Sequence, residues 1–325
     1  DAKRVFLNNT GLGNYSRDSI DSLSYYFPKN NYSLYTPKNN NNPRTAFISN
    51  RKNIDIQKPK SLLDQVFKKY WRTKGIVKDL CINNIDIFHG LSNEIPIGIE
   101  QTSIKTVVTI HDLIFIRYPN LFKSIDKKIY YEKFNSACKR ANRIIAVSEQ
   151  TKKDIISFFS IPSAKIEVIY QGCNHVFQYE IEYSKKKNIL KKYNLPEEFL
   201  LYVGTIEERK NLLTLLQTIK ELPHKKLVVI GNGNTYKIKC LDFIKKNKLS
   251  NRVIFLNGLS LEEMAAIYQT AEIMIYPSIF EGFGIPILES LFSKTPVITS
   301  KEGCFSEAGG PNSKYINPLS VCEMK

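Results

Sequence analysis

Residues 272–289 read EIMIYPSIFEGFGIPILE, and this stretch decides the fold class of the 325-residue chain. A strand-like apolar run leads through a proline, a serine and two glycines into an apolar segment of helical pattern. Pro286 suits the first turn of a helix, because its φ is fixed and it has no N–H to donate. The stretch therefore predicts a strand, a loop and a helix that begins near Gly284. It also holds two carboxylates eight positions apart, Glu281 and Glu289.

The same alternation of strands and helices runs along most of the chain. In the first half, predicted strands lie at 85–88, 105–110, 143–147 and 165–170, and predicted helices at 14–27, 61–83, 125–140 and 149–159. In the second half, predicted strands lie at 199–203, 226–230, 253–256, 272–276 and 297–299, with helices from 211, 234, 261 and 285. Because strands that take turns with helices pair in parallel, we predict an α/β protein with two doubly wound sheets.

Two polar stretches interrupt this alternation. Residues 29–60 are rich in Asn, Lys and Pro and are expected to be mostly loop with short strands. Residues 178–192 are highly charged and form the candidate linker. We therefore expect a first domain at 1–177 and a second domain at 178–325, with a cleft between them. Ligands of such sheets bind beyond the carboxyl ends of the strands, so the residues after the strands are the candidate site residues.

Composition places limits on the class of protein. With 42% hydrophobic residues the chain can bury large cores, and its six scattered cysteines form no C-x-x-C pair. They are typical of thiols in a reducing compartment. No apolar run approaches the ~20 residues of a membrane-spanning helix, and no signal-peptide pattern opens the chain. We therefore expect a cytoplasmic protein.

The net charge of +16 is unevenly distributed. Residues 1–170 hold 27 Lys and Arg against 15 Asp and Glu (+12), whereas residues 171–325 hold 20 against 16 (+4). A basic first half could face anionic lipid on the inner side of a membrane, a phosphorylated acceptor or nucleic acid. A solvated basic face without a partner is the alternative.

The loop and helix start at 281–289 form the first candidate site. Free amides near Gly284 and the helix dipole favour an anion or sugar oxygens. Glu289 could accept both hydroxyls of a ribose, while Glu281 and the bare backbone at Gly282 and Gly284 lie nearer the strand end, where a hexose could fit. Phe283, between the two glycines, is counted with them among the candidate donor-binding residues. An acidic turn that only stabilises the helix is the alternative.

The segment YVGTIEERKNL at 202–212 is the second candidate site. Arg209 and Lys210 are adjacent cations near a predicted helix start, where the dipole is unfavourable for positive charge by a few tenths of a kcal/mol. We therefore expect an anion beside them, and a diphosphate suits the Lys210 ammonium and the Arg209 fork. Gly204 and Thr205 follow the strand and are expected to line the same site. Two solvated residues at a helix start are the alternative.

Three weaker signals lie in the first half. Gly11 and Gly13 lack Cβ atoms, which lets a loop approach a phosphate closely, although a plain tight turn gives the same pattern. His111 ends a predicted strand and could contact a sugar, or it could be a structural histidine oriented by Asp112. Ser148 could contact the donor or merely cap the helix that follows it.

These motifs resemble those of retaining GT-B glycosyltransferases of family 4, formerly called glycosyl transferases group 1. The strand, Pro-Ser, E-G-F-G-x-P and second glutamate occur in the order of that family's E-x7-E motif, and V-G-T-x-E-x-R-K-N resembles a second family segment. The resemblance implies two Rossmann-like domains, the first on the acceptor side and the second binding the nucleotide sugar. It also implies a chain that is incomplete at both ends.

The resemblance further implies roles for individual residues. Glu281 would contact the donor sugar, Glu289 the ribose and Lys210 the diphosphate. The glycine loop would close over the diphosphate, and His111 would face the sugar. Many members carry Arg where this chain has Thr205, so Arg209 is expected to assist the leaving group instead.

The predicted activity is transfer of a hexose, with mannose as the guess, from a GDP or UDP sugar to a glycan or lipid-linked acceptor of a surface polysaccharide. No D-x-D occurs in the sequence, so we expect neither a metal nor another cofactor. A nucleotide-sugar epimerase or a phosphorylase on the same fold and a basic module that binds anionic polymer are the alternatives. No nucleic-acid-binding motif is present, so we expect no nucleic acid.

Overall fold

The computed structural model describes residues 1–40 and 42–325, which form two compact units, Asp1–Gly172 and Cys173–Lys325. The charged segment at 178–192 is not the expected linker over most of its length, because it contains a helix at Tyr183–Lys192. The helix forms because Ile189 packs one side of it into the unit, while its lysines stay toward solvent.

The first unit contains two parallel sheets. One pairs β1 (Tyr32–Tyr35) with β2 (Ile54–Gln57), and the other has the order β3 (Ile87–Gly90), β4 (Lys105–Ile110), β5 (Arg143–Ala146), β6 (Ile166–Val168). The helices are Lys3–Leu7, Gly11–Tyr26, Leu62–Val66, Lys68–Tyr70, Ile76–Ile82, Ile114–Arg117, Ser124–Arg140 and Glu149–Phe159, with a π-helical turn at Trp71–Gly75. Short 3-10 turns lie at Pro43–Asn50, Ile99–Gln101, Pro119–Leu121 and Ser163–Lys165. The four strands predicted from the sequence are confirmed to within a few residues.

The second unit contains one six-stranded parallel sheet. Its strands are β7 (Leu200–Val203), β8 (Leu227–Ile230), β9 (Val253–Leu256), β10 (Ile273–Tyr276), β11 (Val297–Ser300) and β12 (Lys314–Ile316). The helices are Tyr183–Lys192, Leu212–Glu221, Thr235–Lys246, Leu261–Thr270, Ile285–Phe292, Phe305–Gly309 and Val321–Met324, with 3-10 turns at His175–Gln178 and Glu208–Lys210. The predicted α/β alternation is confirmed, and β12 with the two short helices around it was not predicted.

The strand order of this sheet creates a switch point. The order is β9-β8-β7-β10-β11-β12, so the chain first builds the sheet outward from β7 and then returns to the other side of β7. The connections on the two sides cover opposite faces, and the loops after β7 and β10 separate at the carboxyl edge. Both strands are continuous buried apolar runs, which holds the starts of these two loops in place.

The two glycines of the first unit belong to a helix. Helix Gly11–Tyr26 begins three residues earlier than expected, so Gly11 and Gly13 form its first turn instead of a loop. A Cβ on Gly13 would lie 1.9 Å from the carbonyl oxygen of Asn8, while a Cβ on Gly11 would meet nothing within 4 Å. The N–H of Gly13 also donates to Oδ1 of Asn8, at 3.0 Å. Gly13 therefore lets the chain before the helix fold back against its first turn.

This difference predicts opposite effects for two substitutions in the same turn. We expect Gly13→Ala to lower the free energy of unfolding by about 1–3 kcal/mol, because the backbone of Asn8 must shift. Its matched control, Gly11→Ala, should leave stability unchanged or raise it by up to about 1 kcal/mol, as alanine favours a helix. Urea denaturation of both variants gives the comparison, and equal midpoints would contradict the packing described here.

Candidate active site

The loop after β7 is fixed by a close backbone contact. A Cβ on Gly231, the residue after β8, would lie 1.9 Å from the carbonyl oxygen of Gly204. The two loop starts therefore pack backbone against backbone. The next residue, Thr205, is exposed, and its carbonyl oxygen accepts a hydrogen bond from the Tyr202 hydroxyl at 3.4 Å.

Arg209 and Lys210 lie just before a helix and not within it. They belong to the 3-10 turn Glu208–Lys210, which ends at Asn211 with a φ of 57°, and helix Leu212–Glu221 follows. Both cations therefore lie directly before the N-terminus of the helix, as the sequence predicted. The turn directs both side chains toward the loop after β10.

A buried carboxylate from the loop after β10 meets both cations. Oε1 of Glu281 lies 2.8 Å from an Arg209 guanidinium nitrogen and 2.5 Å from the Lys210 ammonium. The hydroxyl of Ser278 donates to the same oxygen at 2.5 Å. Only 8% of Glu281 is exposed. The anion that the sequence required beside the two cations is thus supplied by the chain itself.

The cations hold this carboxylate ionised. Burial by itself would raise the pKa of Glu281, but Arg209 and Lys210 outweigh it and bring the pKa to about 2. Burial also works against the charge on Arg209, yet Glu281 and Glu207 raise the pKa of that guanidinium above its usual value. For Lys210 burial prevails over the attraction of Glu281, so its pKa is lowered. Glu281 is therefore unsuited to give up a proton at neutral pH.

Tyr276 completes the cluster, and the sequence gave it no role. The side chain is 1% exposed at the end of β10. Its hydroxyl accepts a hydrogen bond from the Lys210 ammonium at 2.7 Å and donates to Glu281 at 3.1 Å. Its strand-end position directly before Pro277 and Ser278 was the available signal, since a hydroxyl at the edge of an apolar strand must find partners there.

The helix with the second glutamate begins as predicted. Gly284 precedes helix Ile285–Phe292 with a φ of 107°, a conformation that favours glycine. The thiol of Cys304 lies 3.2 Å from the carbonyl oxygens of Glu281 and Phe283, on either side of Gly282. These contacts hold the glycine loop against the end of the sheet.

Glu289 lies in this helix, apart from the contacts of the cation pair. It is 5% exposed, and its Oε2 accepts a hydrogen bond from the Tyr268 hydroxyl at 2.9 Å. Burial and the carboxylate of Glu289 raise the pKa of Tyr268, so this phenol stays a donor. The helix therefore holds a second ordered carboxylate in the same unit.

His111 follows β4 in the first unit and is buried and neutral. Its Nε2 lies 2.8 Å from the carbonyl oxygen of Leu91, which can only accept, so Nε2 carries the proton. Its Nδ1 accepts from the Gln171 side-chain amide at 3.0 Å. Burial lowers the pKa of His111 to about 4. Leu91 and Gln171 orient the ring, a role that the sequence assigned to Asp112, whose Oδ1 accepts from the N–H of Ile114.

Ser148 and the glycine helix both lie next to His111. The hydroxyl of Ser148 caps helix Glu149–Phe159 by accepting from the N–H of Thr151 at 3.0 Å, which confirms the capping interpretation. The hydroxyl of Thr151 donates in turn to the His111 carbonyl oxygen at 3.4 Å. Tyr15, from the helix that begins at Gly11, packs edge-on against the His111 ring with centroids 4.7 Å apart. The structure thus connects Ser148 to His111 through Thr151, and the helix that begins at Gly11 to His111 through Tyr15.

Two family descriptions match successive parts of this chain. "Glycosyltransferase Family 4" matches residues 27–176, and "Glycosyl transferases group 1" matches residues 185–316. A switch-point site and these matches define a glycosyltransferase. The chain belongs to the glycosyl transferases group 1, family 4, as its motifs indicated.

Named relatives and solved structures agree with this assignment. The chain is 28% identical over 294 residues to the O-antigen chain mannosyltransferase RfbU of Salmonella typhimurium, covering 90% of this chain and 74% of that protein. It is 28% identical over 244 residues to the O-antigen chain mannosyltransferase B of Escherichia coli, covering 72% and 62%.

Among solved structures, sucrose-phosphate synthase of Thermosynechococcus elongatus superposes with a TM-score of 0.75 at 18% identity, covering 97% of this chain and 82% of that one. Anabaena HepE, solved in complex with UDP and glucose, gives 0.73 at 15% identity, covering 97% and 84%. At these identities the likeness establishes the GT-B fold.

The described residues also bear on membranes and metals. Within residues 1–40 and 42–325, no helix combines the length and the apolar character of a membrane span. Over the same described residues, no three His, Cys, Asp or Glu side chains are grouped as a metal site would need.

The neutral state of His111 predicts a pH dependence of stability. The unfolded chain protonates this imidazole near 6.5 and the folded chain only near 4, so the free energy of unfolding should fall as the pH falls from 6.5 to 4. This side chain should contribute up to about 3 kcal/mol to that fall. Urea denaturation across this range should give a shallower dependence for His111→Gln than for the wild type. An unchanged slope in the variant would show that His111 is already charged when folded.

Proposed function

We propose that this chain transfers a hexose, mannose first among the candidates, from a GDP or UDP sugar to a glycan or lipid-linked acceptor of a surface polysaccharide. The observation that carries the proposal is the buried cluster of Arg209, Lys210 and Glu281 at the switch point of the second sheet. The similarity to two O-antigen mannosyltransferases supports the sugar and the pathway class. The family matches favour transfer over the epimerase, phosphorylase and binding-module alternatives.

The diphosphate of the donor would bind to the outer side of this cluster. Arg209 is held on that side by Glu207, whose side chain is 44% exposed and lies 2.6 Å away. An exposed carboxylate is exchanged more easily than a buried one, so phosphate oxygens would replace Glu207 while Glu281 keeps both cations oriented. Fixed cations would then stabilise the charge that develops on the leaving phosphate.

The contacts of Glu281 decide its chemical role. An ionised carboxylate bonded to two cations and two hydroxyls is a poor nucleophile and a poor acid, so it would contact the sugar and hold the cations. With no strong protein nucleophile at this position, we propose retention through a front-face, oxocarbenium-like step. The leaving phosphate would take the proton of the acceptor hydroxyl as the new glycosidic bond forms.

The remaining residues would position the donor. Glu289 would accept the ribose hydroxyls, and the amides of Gly282, Phe283 and Gly284 would face phosphate or sugar oxygens at the helix start. His111 would fix the shape of the loop after β4, because both of its ring nitrogens are already engaged.

The positive charge of Arg209 and Lys210 supports a reaction without a metal, as does the lack of a D-x-D sequence. A cytoplasmic location and peripheral contact with an anionic membrane, through the basic first half, remain part of the proposal.

A donor panel tests the function directly. The intact chain is incubated with GDP-mannose, UDP-glucose and UDP-galactose, and one of them should raise the melting temperature, because a ligand at about a hundred times its Kd adds nearly 3 kcal/mol. In a coupled acceptor assay, NMR of the product should show the anomeric configuration of the donor, and EDTA should not change the rate. If no donor stabilised the chain, the proposed nucleotide-sugar donor would be wrong. An inverted product would overturn retention, and loss of turnover in EDTA would overturn the reaction without a metal.

The second experiment tests the cation. We expect Lys210→Ala to weaken binding of the nucleoside diphosphate by about 10- to 100-fold, because a charge-assisted hydrogen bond contributes about 1.5–3 kcal/mol. Lys239→Ala is the matched control, since that lysine is 60% exposed and pairs with Glu208 of the neighbouring turn. Isothermal titration of both variants measures the difference. Equal losses would mean that net charge, and not position, governs affinity.

A further inference from the structure

An exposed apolar surface lies in the first unit, on the part of the chain that connects β2 to β3. It consists of Leu62, Leu63, Val66, Phe67 and Tyr70, which are 82%, 73%, 74%, 59% and 57% exposed. These five residues lie within nine positions of helical chain. A helix on a folded protein normally turns such residues inward, so clustered apolar exposure indicates a contact surface.

Two charged residues of this segment are less exposed than its apolar residues. Asp64 and Lys68 are partly buried, whereas Gln65 and Lys69 are exposed beside the apolar residues. Asp64 accepts a hydrogen bond from the hydroxyl of Ser61, at 2.7 Å, and its carboxylate faces Gly75. The segment therefore exposes its apolar residues together with Gln65 and Lys69, while Asp64 is held toward the protein.

Firm anchoring keeps the surface in this orientation. The following residue, Trp71, is fully buried, and its indole N–H donates to Asp79 at 2.7 Å. The carbonyl oxygen of Thr73 accepts from the N–H of Ile97 at 2.7 Å. The exposed apolar residues are therefore followed by a well-packed segment, which begins at Trp71 and fixes their position.

Positive charge surrounds the apolar residues. Residues 58–74 contain six Lys and Arg and one acidic residue, Asp64. Lys58, Lys60, Lys69 and Lys74 are exposed, and within the described part of the chain none of them forms an ion pair. Exposed apolar side chains bordered by unpaired lysines fit the interface of an anionic bilayer, where the chains enter the headgroup boundary and the ammonium groups meet phosphates.

We propose that the surface of residues 58–74 docks this protein on an anionic lipid bilayer. A second copy fits less well, because self-association would bring two sets of unpaired lysines together. The inference rests on the peripheral membrane contact proposed above and specifies the residues that make it. It requires no sugar transfer for its test.

Vesicle sedimentation of the full chain provides the test. Wild-type protein should bind phosphatidylcholine vesicles that contain phosphatidylglycerol and should bind pure phosphatidylcholine at least about tenfold less. Leu63→Glu/Val66→Glu should reduce binding to the anionic vesicles by at least about tenfold. Ile238→Glu, at a residue 60% exposed in the second unit, is the matched control and should bind like the wild type. Lys60→Glu/Lys69→Glu should also lose binding, because the proposal requires the positive charge as well as the apolar contact.

Three outcomes would overturn the proposal. The first is undiminished vesicle binding by Leu63→Glu/Val66→Glu, and the second is equal loss in Ile238→Glu. The third combines two results. Light scattering finds a dimer for the wild type and a monomer for Leu63→Glu/Val66→Glu, and neither protein binds vesicles. Donor-induced melting shifts are measured on the same samples. A failed docking surface would leave those shifts intact, and a failed donor assignment would leave vesicle binding intact.

Discussion

One buried carboxylate, shared by two cations, organises the second unit. Glu281 comes from the loop after β10, and Arg209 and Lys210 come from the loop after β7. Each of these groups would be strongly unfavourable in the interior alone, because burial opposes charge. Together they are tolerated only in this one geometry, so the pairing fixes the two loops relative to each other more than it stabilises the fold. Tyr276 and Ser278 add hydroxyls that leave the carboxylate little freedom to turn.

That arrangement explains why the cluster is suited to an anionic ligand although its own charges balance. Glu207 and Glu281 offset Arg209 and Lys210, but the two carboxylates differ in accessibility. Glu281 is buried, while Glu207 has 44% of its side chain exposed. The proposed anionic ligand would therefore meet cations that are already oriented and would have only the exposed carboxylate to displace. Preorganisation of this kind lowers the free energy needed to arrange charge during a reaction.

The sequence predicted most of the fold and the residue types of the site. Strands such as β8 were placed within a residue, because a buried parallel strand is a continuous apolar run. β12 escaped prediction because three residues carry too little periodicity. The linker prediction was wrong because the many lysines of this segment obscured the helical signal of its one buried residue, Ile189. Likewise, the pairing of Arg209 with Glu281 could not be read from the chain, since it depends on β10 returning to the far side of β7.

The reversed strand order also bears on how the protein acquires its site. Arg209 and the loop of Phe280 are 71 residues apart, and β8 and β9 lie between them in the chain. No local hairpin or helix pair can bring them together, because parallel neighbours need long crossovers and such distant contacts close slowly. Assembly of the ion cluster therefore requires the long crossover that returns β10 to β7. A nascent second unit stays without its charged centre until the fourth strand of the sheet has emerged and docked beside the first.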